Sequence, residues 1–291
     1  MKKNPILELE NIHVEYFDES DKRYFTILDK FNLSVNSGEF VAIIGDSGAG
    51  KTTLLDFIAG FIKTTNESKN NFIYKIILKL EMSYKATGTV KISGDDVSSV
   101  EPMDRNVGLV MQNFSLYDHY NVKDNLAFPL KMKGINKKEI LRDVNSVAEK
   151  LGILRLLNNK ISEISGGERQ RVAIGKLLLK KPKIALFDEA FSNLDFKLRQ
   201  VLRKNVIENY LSNENALDTG ERAVLYVTHD LMDFFIADKI VIFKKNKVTR
   251  KSDYEILYSD KDKKAWQKLE HSGLYKIQLN EFEQLFNNYK P

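Results

Sequence analysis

The eight residues Gly45-Asp46-Ser47-Gly48-Ala49-Gly50-Lys51-Thr52 constrain this chain more than any other feature. They fit GxxxxGK(S/T) in full. They follow an unbroken apolar run, FVAII at 40–44, and precede TLLDFIAGF, which has the pattern of a helix. Strand, glycine-rich loop and helix in that order are what the motif needs to hold phosphate. Glycines let the loop wrap closely without Cβ clashes. Its successive N–H groups then point inward at phosphate oxygens, helped by the start of the helix. Lys51 adds a point charge for the β- and γ-phosphates, and the Thr52 hydroxyl suits Mg²⁺. The motif specifies a nucleoside triphosphate and leaves kinase, GTPase, motor and transport ATPase open.

Three more apolar runs recur downstream: IALF at 184–187, AVLYV at 223–227 and IVIF at 240–243. Each suits a strand buried on both faces of a parallel sheet. Stretches of helical length lie between them, which argues for an α/β fold with a mainly parallel sheet. Upstream, Ile6, Leu7, Leu9, Ile12, Val14 and Tyr16 alternate with polar residues as in a half-buried strand. Residues 17–25 read as a charged loop or hairpin, 27–35 as a second strand region, and Asn36-Ser37-Gly38 as a turn. Residues 121–160 have helical spacing, with Asn136 capping KKEILRDVNSVAEKLGI. Residues 62–87 stand apart as an insertion, expected to form a surface helix or strand pair. In the Lys-rich tail, Leu279, Phe282, Leu285, Phe286 and Tyr289 share one helical face.

Size and composition narrow the function. The chain of 291 residues has no cysteine, which excludes a disulfide framework, a thiolate zinc site and a thiol nucleophile. Neither a signal-peptide h-region nor an apolar run of about 18 residues is present. No segment is therefore expected to span a bilayer alone. The net charge of +5 is mild and its lysines are scattered. Direct nucleic-acid binding, which favours a clustered basic stripe, is not expected.

Carboxylates at a strand end carry the next signal. IALF runs into Asp188-Glu189, and ligands of open α/β sheets sit at carboxyl ends of strands. Asp188 can hold Mg²⁺, while Glu189 can orient and deprotonate an attacking water. Two adjacent acids repel each other unless a cation offsets them. His229 follows AVLYVT at a strand end and can donate to the γ-phosphate. Gln112 closes VGLVMQ in the same way, its amide oxygen within reach of Mg²⁺ or water.

The segment Ile164-Ser165-Gly166-Gly167-Glu168-Arg169-Gln170-Arg171 opens another helical pattern, with Ser165 a good cap. It is a second helix start suited to an anion. A chain that already has a phosphate loop has little use for one unless two copies meet.

Taken in order, the phosphate loop, Gln112, ISGGERQR, IALFDE, SNLD at 192–195 and His229 resemble the ATP-binding cassette ATPases over about residues 6–245. SGGERQ, about twenty residues ahead of the Asp-Glu pair, is the discriminating element. The stretch EPMDRNVGLVMQNFSLYDHYNVKDNLAF and SNLDFKLR look like importer ATPases for sugars, polyamines and inorganic anions.

The resemblance implies a phosphate-loop NTPase fold. Its parts would be a RecA-like, mainly parallel sheet, an antiparallel β subdomain, and an inserted α-helical subdomain at about 114–165. The cassette would occupy 1–245 and a short extension 246–291. It also implies a head-to-tail dimer with a second ATPase copy. Two ATP molecules would lie between the phosphate loop, with Thr53 beside it, and the partner's Ser165, Gly166, Gly167 and Glu168. Tyr16 matches the position that stacks on adenine, with Phe17 as fallback, and Asp195 would reach across the interface. Transmembrane permease subunits would dock near Gln112 at the cytoplasmic face of the membrane, with a substrate-binding protein as a further candidate partner. An exporter subunit and a non-transport cassette ATPase are the alternatives. Ala190, Ile164 and Lys176 depart from the usual Pro, Leu and Arg without removing a catalytic group. The tail of 46 residues is shorter than the regulatory domain many importer ATPases carry.

Overall fold

The computed structural model describes residues 5–64, 84–111, 116–191, 210–211, 221–228, 237–245 and 252–258. Two sheets and a helical layer make up these residues. Strands β1 (Pro5–Asp18) and β2 (Arg23–Asn36) form a long antiparallel hairpin. β1 also pairs with β4 (Tyr84–Ile92), which pairs with the short β5 (Asp95–Asp96). Of the two readings of 17–25, loop or hairpin, the structure takes the hairpin, with strand pairing continuing through Phe17↔Tyr24 and Asp18↔Arg23. Aromatic pairing explains the extension. The Phe17 and Tyr24 rings meet at 5.1 Å, and Lys85 Nζ lies 3.8 Å above Tyr24. Asp18 then turns the chain by accepting the N–H groups of Ser20 and Asp21.

The larger sheet has the order β10-β9-β3-β8-β7-β6. Its strands are β3 (Phe40–Gly45), β6 (Val107–Val110), β7 (Ile184–Asp188), β8 (Ala223–Val227), β9 (Lys239–Lys245) and β10 (Ser252–Tyr258). All its neighbours run parallel except β10, which pairs antiparallel with β9. β3, β7 and β8 are buried along their whole length, as their unbroken apolar runs require. The tail after 245, read as a short Lys-rich extension with a helical face near its end, also contributes β10, a strand not foreseen there. Tyr254 supports that strand, packing at 4.5 Å from Phe31 and donating its hydroxyl to Lys30 O.

Side chains of β3 alternate between two cores. Val41 and Ile43 face α1 (Lys51–Ala59) and the small sheet, whereas Phe40, Ala42 and Ile44 face the helical layer. That layer holds α2 (Val122–Met132), α3 (Lys137–Lys150) and α4 (Gly166–Lys180). Each starts on a side-chain cap. The Asn121, Asn136 and Ser165 oxygens accept the N–H of Asp124, Glu139 and Glu168.

Of the insertion expected at 62–87, residues 65–83 lie outside the described residues. Its two ends are fixed side by side. Tyr84 begins β4, its hydroxyl accepts the Lys63 N–H, and the buried Lys63 ammonium pairs with Glu101. The amphipathic pattern at 279–289 also lies outside the described residues. No described helix is long and apolar enough to cross a membrane.

Candidate functional site

Strand register brings the sequence-predicted residues to one rim. β3 ends at Gly45, β7 at Asp188, β8 at Val227 and β6 at Val110, with parallel pairing in step across all four. The phosphate loop leaves β3 at Gly45. Its φ of +147° and the 2.1 Å between a built Cβ and Phe243 O leave room for glycine alone. Gly50 caps α1 with no side-chain bond, so the first N–H groups of that helix are left for another acceptor.

Lys51 is 7% exposed and folds back onto this loop, donating to Gly45 O at 2.8 Å and Asp46 O at 2.9 Å. Burial lowers its pKa, while the carboxylates of Glu189, Asp188 and Asp46 pull the other way. Thr52 Oγ1 donates to Asp188 Oδ2 at 2.9 Å. A hydroxyl and a carboxylate oxygen therefore converge on one point. That donor set fits Mg²⁺, which needs few protein ligands when phosphates and waters supply the rest.

Glu189 is placed by an unusual backbone. Its φ is +50°, and its N–H donates to Val227 O at 3.1 Å. A left-handed glutamate at a strand end is strained, and such strain collects where a side chain must be aimed. Asp188 and Glu189 thus stand beside the phosphate loop, as their order in the chain suggested. Gln112, His229 and Asp195 lie outside the described residues.

Tyr16 lies against α1, with its hydroxyl bonded to the Thr53 side chain and its ring edge-on to Tyr84 at 6.4 Å. Burial pushes its phenol up to about 12. Phe17, the fallback, pairs with Tyr24 on the next position of the strand and so faces the other way.

Ser165, Gly166, Gly167 and Glu168 form a closed capping box at the start of α4. Ser165 N–H and Oγ both donate to Glu168 Oε2, at 2.9 and 2.8 Å. The Ser165 backbone and hydroxyl bonds hold the Glu168 carboxyl below its usual pKa. Ser165 and Gly166 are exposed. A Cβ on Gly166 would meet nothing within 4 Å, so this copy's own packing does not require glycine there.

One residue escaped the sequence reading, and another, Lys176, was noted there only as a departure from the usual arginine. Asp56, four residues after Thr52 in the apolar second half of α1, is pushed up to about 7 by burial and then by the charge of Asp188. Its signal was a lone acid inside LLDFIA. Lys176 sits 3.8 Å over Tyr117, in a cluster where Tyr117 also meets Tyr120 at 5.6 Å and Phe128 at 4.8 Å. Burial, then Lys180, lowers Lys176 to about 8. A lysine stacks here where arginine is common, and the aromatic cluster continues the chain directly after the segment containing Gln112.

Comparison with known proteins agrees with this geometry. The family described as ABC transporter matches residues 28–192. The sn-glycerol-3-phosphate import ATP-binding protein UgpC of Yersinia pseudotuberculosis is 36% identical over 220 residues, covering 75% of this chain and 54% of that protein. The maltose/maltodextrin import ATP-binding protein MalK of Yersinia pestis is 37% identical, covering 75% and 52%. The chain thus spans about half the length of these relatives. An ATP-binding cassette solved as a dimer with ADP and Pi superposes with a TM-score of 0.68 at 24% identity, over 86% of this chain and 97% of that one. A dimeric bacterial ABC transporter cassette gives 0.66 at 25% identity, over 87% and 98%. Phosphate loop, Asp-Glu strand end and Ser-Gly-Gly helix start therefore stand on the cassette fold, and the chain belongs to the ABC transporter family.

Proposed function

We propose that this chain is the ATP-hydrolysing subunit of a membrane importer, acting as a head-to-tail dimer at the cytoplasmic face of the membrane. The observation that carries this reading is the convergence of Lys51, the Thr52–Asp188 pair and Glu189 beside one phosphate loop. The loop and the start of α1 would hold the phosphates, Lys51 would turn from the loop carbonyls to the β- and γ-oxygens, and Tyr16 would meet adenine beside Thr53. Glu189 would orient water in line with the γ-phosphate and take its proton. Gln112 would position that water and His229 would donate to the γ-phosphate. Mg²⁺, held by Thr52, Asp188 and Gln112, would supply neutralising charge at the phosphates.

Two features support a second copy. Gly166 has no partner within 4 Å of a built Cβ, which leaves space for another chain's nucleotide. The start of α4 is also exposed at Ser165 and Gly166. In the dimer, Ser165, Gly166, Gly167 and Glu168 of one copy would face the phosphate loop of the other, with Asp195 across the interface. Permease subunits would dock on the face that includes Tyr117, Tyr120 and Phe128. The two relatives are import proteins, and import by this chain is inferred from them. A substrate-binding protein would complete such a system.

Steady-state Mg-ATPase assays and nucleotide binding test the reading on Glu189→Gln. Turnover should fall on the order of 10²–10³-fold with ATP affinity kept, a barrier increase of about 3–4 kcal/mol. Unchanged turnover would remove Glu189 as the base. Copurification from gently solubilised membranes should bring a multispan membrane protein; recovery with ribosomes or DNA alone would refute import.

A further inference from the structure

The phosphate loop of this chain carries an acid of its own. Asp46, its second residue, is exposed, and its carboxylate acts on Lys51 together with Asp188 and Glu189. Three carboxylates around one ammonium disfavour a polyanion, since like charges at short range repel.

Strand β9 supplies a counterweight from the far end of the chain. Its Phe243 is paired with Gly45, so the strand runs two residues past the point where the loop begins. Lys245 is thereby carried over the loop's exposed arch. Its N–H donates to Asp46 Oδ2 at 3.1 Å, which fixes the acid in place. Its ammonium lies against the arch, 3.2 Å from where a Cβ on Gly48 would stand. The backbone bond sets the strand on the loop, and the side chain returns a positive charge to the spot where Asp46 removes one.

We propose that Lys245 is a second phosphate-binding cation of this site, contacting the nucleotide's phosphate chain from the β9 side while Lys51 contacts it from within the loop. This assignment rests on the reading of the loop as an ATP site. The attraction is that of an exposed charge, so it acts at short range and is screened by salt.

Mg-ATP binding to the full chain tests it, measured by titration at low and high ionic strength. Lys245→Met, which keeps the aliphatic stem and the backbone bond, should weaken binding about 3- to 10-fold at low salt, and the loss should shrink as salt is raised. Lys245→Arg should bind as the unaltered protein does, and ADP should respond less than ATP because it carries less charge. Lys51→Ala serves as the reference. If it loses ATP while Lys245→Met binds normally, the loop assignment stands and the role of Lys245 is overturned. A loss with Lys245→Met that is the same at every salt concentration also overturns it, since a purely structural change would behave that way. If the unaltered protein binds no ATP, the reading beneath the proposal fails as well.

Discussion

Asp56 offers a measurement in which sign and size both follow from the structure. It lies on α1 between the phosphate loop and the core, and burial, then Asp188, raises its carboxyl from 3.8 to about 7. A carboxylic acid raised on folding binds its proton more tightly in the folded state. The folded protein therefore loses stability as pH climbs from the unfolded value through the folded one. Each pKa unit is worth about 1.4 kcal/mol. Linkage then gives a penalty of about 0.5 kcal/mol at pH 4, about 1.5 kcal/mol at pH 5 and about 4 kcal/mol at pH 8. Asp56→Asn has no proton to lose, so it should gain stability over the unaltered protein by about 2–3 kcal/mol between pH 5 and pH 8. Urea denaturation of both proteins at the two pH values, at fixed ionic strength with EDTA, gives the difference directly. Titrations shared by the two proteins cancel. A stability difference that does not change between pH 5 and pH 8, or that moves against the Asn variant, would refute the reasoning.

Two further substitutions probe how the rim is built. Gly45→Ala forces a Cβ to within 2.1 Å of Phe243 O at a φ of +147°, so β3 and β9 must separate. A loss of about 3 kcal/mol or more in chemical denaturation is expected, together with lost ATP binding; a variant of normal stability would show that the close approach is not rigid. Lys239, 6% exposed, donates to Glu39 Oε2 at 2.6 Å and Ser34 O at 2.7 Å, tying β9 to the β2–β3 turn. Lys239→Met should cost about 1–3 kcal/mol, because the half-buried Glu39 loses its cation but keeps the Asn36 N–H and Nδ2, and adding Glu39→Gln should recover part of that. No recovery in the double variant would mean that packing of the lysine stem, rather than charge, sets the cost.

The chemistry of this protein was legible wherever it is local. Eight consecutive residues specify the phosphate loop because glycine, helix start and lysine all act within one turn of chain. Unbroken apolar runs located β3, β7, β8 and β9, since strands covered on both faces leave no polar alternation to misread. Asn136 marked a helix start for the same local reason, its side chain accepting the Glu139 N–H three residues on. Strand ends were less legible. Charge left 17–25 open between loop and hairpin, and ring contacts across the two strands decide for the hairpin.

Tertiary structure alone decided the relations between distant segments. The Thr52–Asp188 contact spans 136 positions and exists because β3 and β7 flank β8 in parallel register. The β3–β9 register lays Lys245 on Gly48, and burial with the nearby charge of Asp188 turns Asp56 into a raised acid. None of these can be read from spacing, because burial and charge proximity depend on which strands become neighbours. Spacing along the chain fixes what a residue can do; the order of strands in the sheet fixes what it meets.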